Sequence, residues 1–353
     1  MFSTIKNRLI GITIAIVVLT LLASTAATYF TVRGQTLSKV GNDLTELSRA
    51  HAAAISTWVR TQKDIVTAMV PVAQATDPVP FLQQAAKSGR LDTAYVGFAD
   101  KRIVFSSPQT LPPDYDPTSR PWYKLAEAAG APVVTAPYAD AATKRLVMTF
   151  ALAVKSGGAT QGVVASDVFM DEVVKTIQSI KPTPNGFAFL VNKQGVVIAH
   201  PNAALSLKAA SDISKDLDAP TLARAADGAA AMPAVTVGDA GYLLRAVPVE
   251  GTEWMLVSAA NRAEALASVT SLLQTAGLVL VLALIAAAIA VTVAISSMLL
   301  GLARVRDAMD DIGSGSGDLS KRLPVAGNDE ISQIAASFNQ FAEKIASVIR
   351  EMR

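Results

Sequence analysis

Residues 95–105 read YVGFADKRIVF, and residues 187–199 read FAFLVNKQGVVIA. Each is an aromatic-rich run, a polar turn containing a lysine (Lys101, Lys193) and a β-branched run. Apolar segments arranged around such a turn are the signature of a β-hairpin. Two further strand candidates follow each hairpin: 146–154 and 161–168 after the first, 241–247 and 254–259 after the second. Residues 170–180 read as a helix joining the two sets, stopped by Lys181-Pro182-Thr183-Pro184. The repetition predicts two α+β modules of one plan.

Upstream of the first hairpin, residues 35–70 contain no proline and a single glycine, Gly41. Leu37, Val40, Leu44, Leu47, Ala54, Trp58, Ile65 and Met69 follow helical spacing along it. One apolar stripe of that kind predicts a long helix packed on the modules, with a dimer-forming stalk as a compatible use.

Further outward the chain becomes apolar. It is 51% hydrophobic and 17% charged, with mean hydropathy +0.37. Soluble domains rarely reach such values, so the excess must be concentrated. No Asp, Glu, Lys or Arg occurs from Leu9 to Val32 or from Ala265 to Ala303. About 20 residues span a bilayer core, so both runs suffice. Lys6 and Arg8 precede the first, and Arg304 and Arg306 follow the second. By the positive-inside bias both chain ends face the cytoplasm and the modules lie outside; Arg33 weakens that signal without reversing it. A cleaved signal peptide with small residues Ala23, Ser24, Thr25 and Ala26 is the rival for the first run. Continuation of the apolar run to Phe30 speaks against it.

Other classes fall away by composition. There is no cysteine, so disulfides, thiolate zinc sites and cysteine nucleophiles are excluded, and His51 and His200 are too far apart in sequence to suggest a histidine metal site. A net charge of +2 gives no bulk attraction for nucleic acid.

The chemistry-bearing stretch runs from Asp114 to Asp167. It holds Tyr115, then Arg120-Pro121-Trp122-Tyr123, then Pro137-Tyr138-Ala139-Asp140, and finally Asp167 at the end of a strand candidate. A guanidinium offers a planar fork for a carboxylate, while aspartates and tyrosines offer acceptors and π-faces to an ammonium. The set suits a zwitterion. Taken singly, each residue reads rather as a core aromatic or a surface ion-pair partner than as a ligand contact. Together, Tyr115, Arg120, Trp122, Tyr123, Tyr138, Asp140 and Asp167 resemble the amino-acid-binding signature of double Cache (dCache) sensor domains. The resemblance implies that Arg120 and Trp122 hold the ligand carboxylate. It places Tyr115, Tyr123, Tyr138, Asp140 and Asp167 on the ammonium side. The second module, with its Gly186–Leu190 strand and His200-Pro201, resembles the membrane-proximal half of that fold. It has no comparable cluster and reads as transmitting, with His200 in a structural turn.

After the second apolar run, Leu302, Val305, Met309 and Ile312 are spaced as a heptad seam. Ile331, Ile334, Phe338, Phe341, Ile345, Val348 and Met352 form a second one. A glycine-rich connector, Gly313 to Leu319, lies between them, followed by Leu323 and Val325 and by Asp329-Glu330. This resembles a HAMP linker, in which two chains build a parallel four-helix bundle. Asp329-Glu330 matches the acidic start of its second helix. Met298 replaces the usual proline after the span, and Ser332 stands where glycine is common.

The combined resemblance is to the sensory half of a bacterial methyl-accepting chemotaxis receptor. The fold class expected is an α+β membrane receptor: a long stalk helix carrying two PAS-like modules outside, two transmembrane helices and a cytoplasmic HAMP bundle. The expected limits are a cytoplasmic N-terminus (1–8), the first span (9–31), a periplasmic sensor (32–270), the second span (272–299) and HAMP (300–353). Within the sensor, the long helix covers 35–70, the membrane-distal ligand-binding module 71–180 and the membrane-proximal module 185–262. The expected function is binding of a free amino acid at the bacterial inner membrane, with no catalysis, cofactor, metal or nucleic-acid partner. Expected partners are a second copy of the chain, the bilayer and a cytoplasmic chemotaxis adaptor and kinase. Contact with those two requires a C-terminal domain beyond Arg353, so the chain reads as a fragment. Alternatives are the sensor half of a histidine kinase or diguanylate cyclase, or a receptor for amines or other small metabolites.

Overall fold

Both hairpins close through the same local chemistry. In the first, Asp100 Oδ1 accepts from the Arg102 amide at 3.1 Å and Lys101 takes φ +72°. In the second, Asn192 Oδ1 accepts from the Gln194 and Val196 amides at 3.0 and 2.8 Å, and Gly195 supplies φ +78°. A short side-chain acceptor that satisfies turn amides is what places Asp and Asn there. A computed structural model describes residues 5–228, 231–313, 321–325, 327 and 330–351. The connector residues 314–320, Asp329 and Met352 lie outside the described residues.

The chain forms two compact units, Gly34–Ser268 and a second made of Met1–Arg33 with Val269–Arg353. Helix α1 spans Ile5–Ala68 and is followed by α2 (Val79–Gly89). The first module then contains β1 (Thr93–Phe98), β2 (Ile103–Phe105), α3 (Pro121–Ala129), β3 (Val133–Val134), β4 (Tyr138–Ala139), β5 (Leu146–Ser156) and β6 (Ala159–Phe169). Helix α4 (Met170–Gln178) leads to the second module: β7 (Phe187–Asn192), β8 (Val197–Ala199), α5 (Ala219–Ala226), β9 (Ala234–Val237), β10 (Ala240–Pro248) and β11 (Trp254–Asn261). A short α6 (Arg262–Ala265) precedes α7 (Ala267–Gly313), and α8 is Glu330–Glu351.

The repeat read from the sequence is a repeat of topology. The first sheet runs β2-β1-β6-β5-β3, with β4 also on β5, and the second runs β8-β7-β11-β10-β9. All pairings are antiparallel. One core joins the modules: Ile55, Val59 and Val66 of α1 and Val173 and Ile177 of α4 pack with Phe150 and Val164 on one side and Leu190 and Leu256 on the other. A separate core, including Phe189, Leu244 and Val257, fills the other face of the second sheet.

The buried line along α1 differs from the apolar stripe. It runs through Leu44, Ser48, Ala52, Ile55, Val59, Gln62 and Val66 and on to Met69 just past the helix end, while Ala54 is exposed. Ser48 is admitted because its hydroxyl bonds Leu44 O and Ser258 Oγ at 2.7 and 2.8 Å. Buried Gly41 lies beside Met232 and Arg245, which a Cβ there would touch at ordinary contact distances of 3.6 and 3.4 Å. Without a proline to stop it, the first apolar run continues into the stalk as one helix.

In the other unit, the helices α1 and α7 are each long and apolar enough to cross a membrane, with no buried residue in their most apolar windows. Leu19, Ile12 and Leu278 are among their exposed side chains. The hydroxyls of Thr20, Thr25, Thr28 and Thr31 donate to carbonyls one turn back at 2.8–3.0 Å, so these four are not stranded on that surface. Gly301 of α7 lies against Ile331 of α8, too close for a side chain. Asn339 clips the connector to α8: its Oδ1 accepts from Leu323 N at 2.8 Å and its Nδ2 donates to Leu323 O at 2.9 Å. Phe338 is buried within the single chain, whereas Ile334, Phe341 and Val348 are exposed.

Candidate ligand-binding site

Strand register assembles the site. Asp167 of β6 pairs with Thr93 of β1 and with Thr149 of β5, so all three side chains stand on one face of the sheet. Tyr95, two residues along β1, joins the same face. Its hydroxyl donates to Asp167 Oδ1 at 2.9 Å, and the Thr149 hydroxyl donates to the same oxygen at 2.5 Å. Tyr138 OH lies 2.5 Å from Thr149 Oγ1 and closes the chain of bonds.

The opposite wall is held by the loop before α3. Asp116 accepts from the Thr118 amide at 2.9 Å and pairs with Lys101 at 2.8 Å. The lysine holds its carboxyl down at about 2. Arg120 then caps α3 in extended conformation, with Pro121 as the first helical residue. Trp122 enters the core edge-on to Tyr95, ring centroids 5.1 Å apart. Gly97 makes this possible, since a Cβ there would lie 2.6 Å from the indole.

Between these walls is a cavity of about 260 Å³, lined by Tyr115, Arg120, Trp122, Tyr138, Asp140 and Asp167. Six of the seven residues singled out in the sequence are thus brought together. Tyr123 is the exception. It packs behind Trp122 with ring centroids 5.5 Å apart and is absent from the lining. Burial raises its phenol, followed by the charges of Glu127, Asp100 and Asp116, none of which reaches the cavity. Successive helix positions diverge by about 100°, so neighbours on α3 cannot share one wall.

The electrostatics are unequal across the cavity. Burial pushes the Asp167 carboxyl up to about 7, against the lowering bonds from Thr149 and Tyr95, and Asp140 and Asp92 push the same way as burial. Burial also raises the phenols of Tyr95, Tyr115 and Tyr138, which therefore stay neutral hydrogen-bonding groups. Arg120 sits with its guanidinium carbon 5.8 Å from the Tyr115 ring and 5.6 Å from the Tyr138 ring. Its Nη2 donates to Ala139 O at 3.2 Å, but its buried Nε has no acceptor. A buried charged donor without a partner is costly, and an incoming carboxylate would satisfy it. Asp140 is tied at the mouth, where its Oδ2 accepts from Thr143 N and Oγ1, both at 2.7 Å.

Sequence reading missed Tyr95, Thr149 and Arg145. Thr149, a lone polar residue in the run Val147–Phe150, was the available signal. Arg145 also lines the cavity, stacked 3.6 Å over Phe169 and paired with Asp171 at 2.5 Å. His200 lies elsewhere. It is buried against Phe187, and its Nδ1 accepts from the Asn202 amide at 2.9 Å, a turn-forming contact.

The chain resembles known proteins over most of its length. The Cache-domain family model (dCache_1) matches residues 29–269, and the HAMP-domain model matches residues 293–347. The methyl-accepting chemotaxis protein PscA of Pseudomonas syringae pv. tomato is 31% identical over 89% of this chain and 50% of its own. PctB of Pseudomonas aeruginosa, also a methyl-accepting chemotaxis protein, is 34% identical over 73% of this chain and 40% of its own. The chain therefore spans half or less of the length of these relatives. Among solved structures, the ligand-binding domain of Pseudomonas fluorescens chemoreceptor CtaA in complex with L-isoleucine superposes with TM-score 0.60. It is 26% identical and covers 68% of this chain and 99% of its own. The ligand-binding domain of PctB with L-Gln gives TM-score 0.56 at 27% identity, over 66% and 97%. The chain belongs to the dCache family of Cache-domain proteins, carries a HAMP domain that begins within the second long apolar helix, and is homologous to the Pseudomonas methyl-accepting chemotaxis receptors.

Proposed function

We propose that the chain is the sensory half of a transmembrane chemoreceptor that binds a free amino acid in the first module. Arg120 and Trp122 receive the α-carboxylate. Asp167 receives the ammonium, with Asp140, Tyr115 and Tyr138 around it, and Tyr123 supports Trp122 from behind. The observation that carries this reading is the pairing, within one cavity, of an unsatisfied buried guanidinium nitrogen and a buried carboxylate. Relatives solved with L-isoleucine and L-Gln support the ligand class.

Helices at 9–31 and 272–299 cross the inner membrane, the sensor faces the periplasm, and both chain ends are cytoplasmic. The exposed apolar residues of α8 meet a second copy in a HAMP bundle, which passes the signal towards a chemotaxis adaptor and kinase. The test is a calorimetric titration of the full chain in lipid nanodiscs. It compares an amino-acid panel with the methyl ester and the decarboxylated amine of the best ligand. Micromolar binding of a free amino acid and loss of both analogues is expected. Equal binding of the amine would mean that Arg120 holds no carboxylate.

A further inference from the structure

A larger cavity, about 490 Å³, lies where α1, α4 and the two modules meet. Its walls include Trp58, Ile177, Leu190 and Trp254. The charged residues that line it, Arg90, Asp92 and Glu172, are all exposed at its mouth. Gln62 also lines it; the residue is 5% exposed, yet its Oε1 has no hydrogen-bond partner. A buried amide oxygen left bare is costly, and the donors on the walls, the indoles of Trp58 and Trp254 with His51 and Thr176, make no bond to it. Space of this size with mostly apolar walls and one unsatisfied polar group has the character of a small-molecule pocket.

We propose that this cavity is a second binding site, for a neutral and largely apolar molecule carrying one N–H or O–H that donates to Gln62 Oε1. Neutrality follows from the position of the charges, all at the mouth and none inside. The site is distinct from the amino-acid cavity but shares its wall. Asp167 and Val168 are consecutive on β6 and face opposite sides, the first lining one cavity and the second the other. Asp92 lines both, and its Oδ2 accepts from the Phe169 amide at 2.8 Å. Any effect of one ligand on the other's affinity through this strand is reciprocal.

The probe is 5-fluoroindole, with its N-methyl derivative as the donor-less control, observed by fluorine NMR. The full chain is held in phosphatidylcholine nanodiscs, and empty nanodiscs are subtracted. Wild type is expected to bind 5-fluoroindole saturably, about five- to tenfold tighter than the N-methyl control, the worth of one neutral hydrogen bond. Gln62→Leu should stay folded and lose that preference. Ala54→Phe, which places a ring at the mouth from an exposed helix position, should weaken both probes about tenfold or more. Absence of saturable binding, a preference that survives Gln62→Leu, or binding indifferent to Ala54→Phe overturns the proposal. Lipid partitioning is the same for every variant and cannot produce the expected pattern.

Discussion

The Thr149 hydroxyl donates to Oδ1 of Asp167 at 2.5 Å, and Tyr95 donates to that same oxygen. Both protein bonds are therefore spent on one side of the carboxylate, which leaves Oδ2 to a ligand. A ligand ammonium arriving there favours the ionised form, whereas burial by the protein alone holds the group at about 7. Binding must then expel a proton below neutrality. Affinity is expected to fall as pH drops through 7, to about tenfold weaker at pH 6 than at pH 8, because only the ionised fraction binds. Calorimetry at pH 6 in two buffers of different ionisation enthalpy should show release of nearly one proton. Equal affinity at both pH values, with no proton release, would rule out the pairing.

The same raised carboxyl sets a stability dependence of opposite sense. The folded state keeps the Asp167 proton up to about 7, whereas the unfolded chain loses it near 3.8. This stabilising contribution is full below 3.8 and is lost as pH rises through 7. Asp167→Asn keeps an acceptor for Tyr95 and Thr149 and removes the charge. It should raise the melting temperature of the empty sensor at pH 8, with little gain at pH 4, while abolishing amino-acid binding. Trp58, Trp122 and Trp254 all lie in the Gly34–Ser268 unit, so tryptophan fluorescence reports its melting selectively. A lower melting temperature at pH 8 would contradict the assignment.

Gly97 is a packing requirement of the site. A side chain there collides with the Trp122 indole, which overlies the strand. Gly97→Val is expected to destabilise the sensor by about 1–3 kcal/mol, as overpacking does. It should also weaken amino-acid binding, because the displaced indole carries the start of α3 and Arg120 with it. Thermal denaturation and titration of one preparation check both. Unchanged affinity would show that Trp122 does not position the carboxylate fork.

For the HAMP region, the heptad seam alone would select Phe338 as the contact with a second chain. Phe338 is already covered within its own chain, and Phe341 is 51% exposed. In a parallel dimer, a cysteine at Phe341 should crosslink to its counterpart more readily than one at Gln340 on the outer face. Mild oxidation of membranes followed by non-reducing electrophoresis measures this. Equal yields would contradict the dimer.

Much of this was legible in the sequence, for identifiable reasons. The hairpins at 95–105 and 187–199 declare themselves because alternation and turn chemistry are local. The stalk was legible as a helix, but its buried line was misplaced: Ser48 and Gln62 are polar, and only tertiary structure shows what each faces. The same limit hid Tyr95 and Thr149. Their bonds to Asp167 span 72 and 18 residues and exist only once β1, β5 and β6 are in register. Tyr123 was included because it is contiguous with Trp122, and helix geometry turns it away. Arg145 gave no signal, since its place depends on stacking over Phe169 across two elements.

The most direct test concerns Arg120, whose buried Nε lacks an acceptor. Losing one partner of a buried, hydrogen-bonded charge pair costs about 2–5 kcal/mol. At about 1.4 kcal/mol per tenfold, Arg120→Ala should weaken amino-acid binding roughly thirtyfold or more. Arg120→Lys should restore only part, because a point charge cannot reproduce the planar fork. The measurement is calorimetric titration of the full chain and both variants in nanodiscs, with tryptophan fluorescence to confirm folding. A folded Arg120→Ala protein that binds the free amino acid within about threefold of wild type, well under 1 kcal/mol, would contradict the zwitterion site.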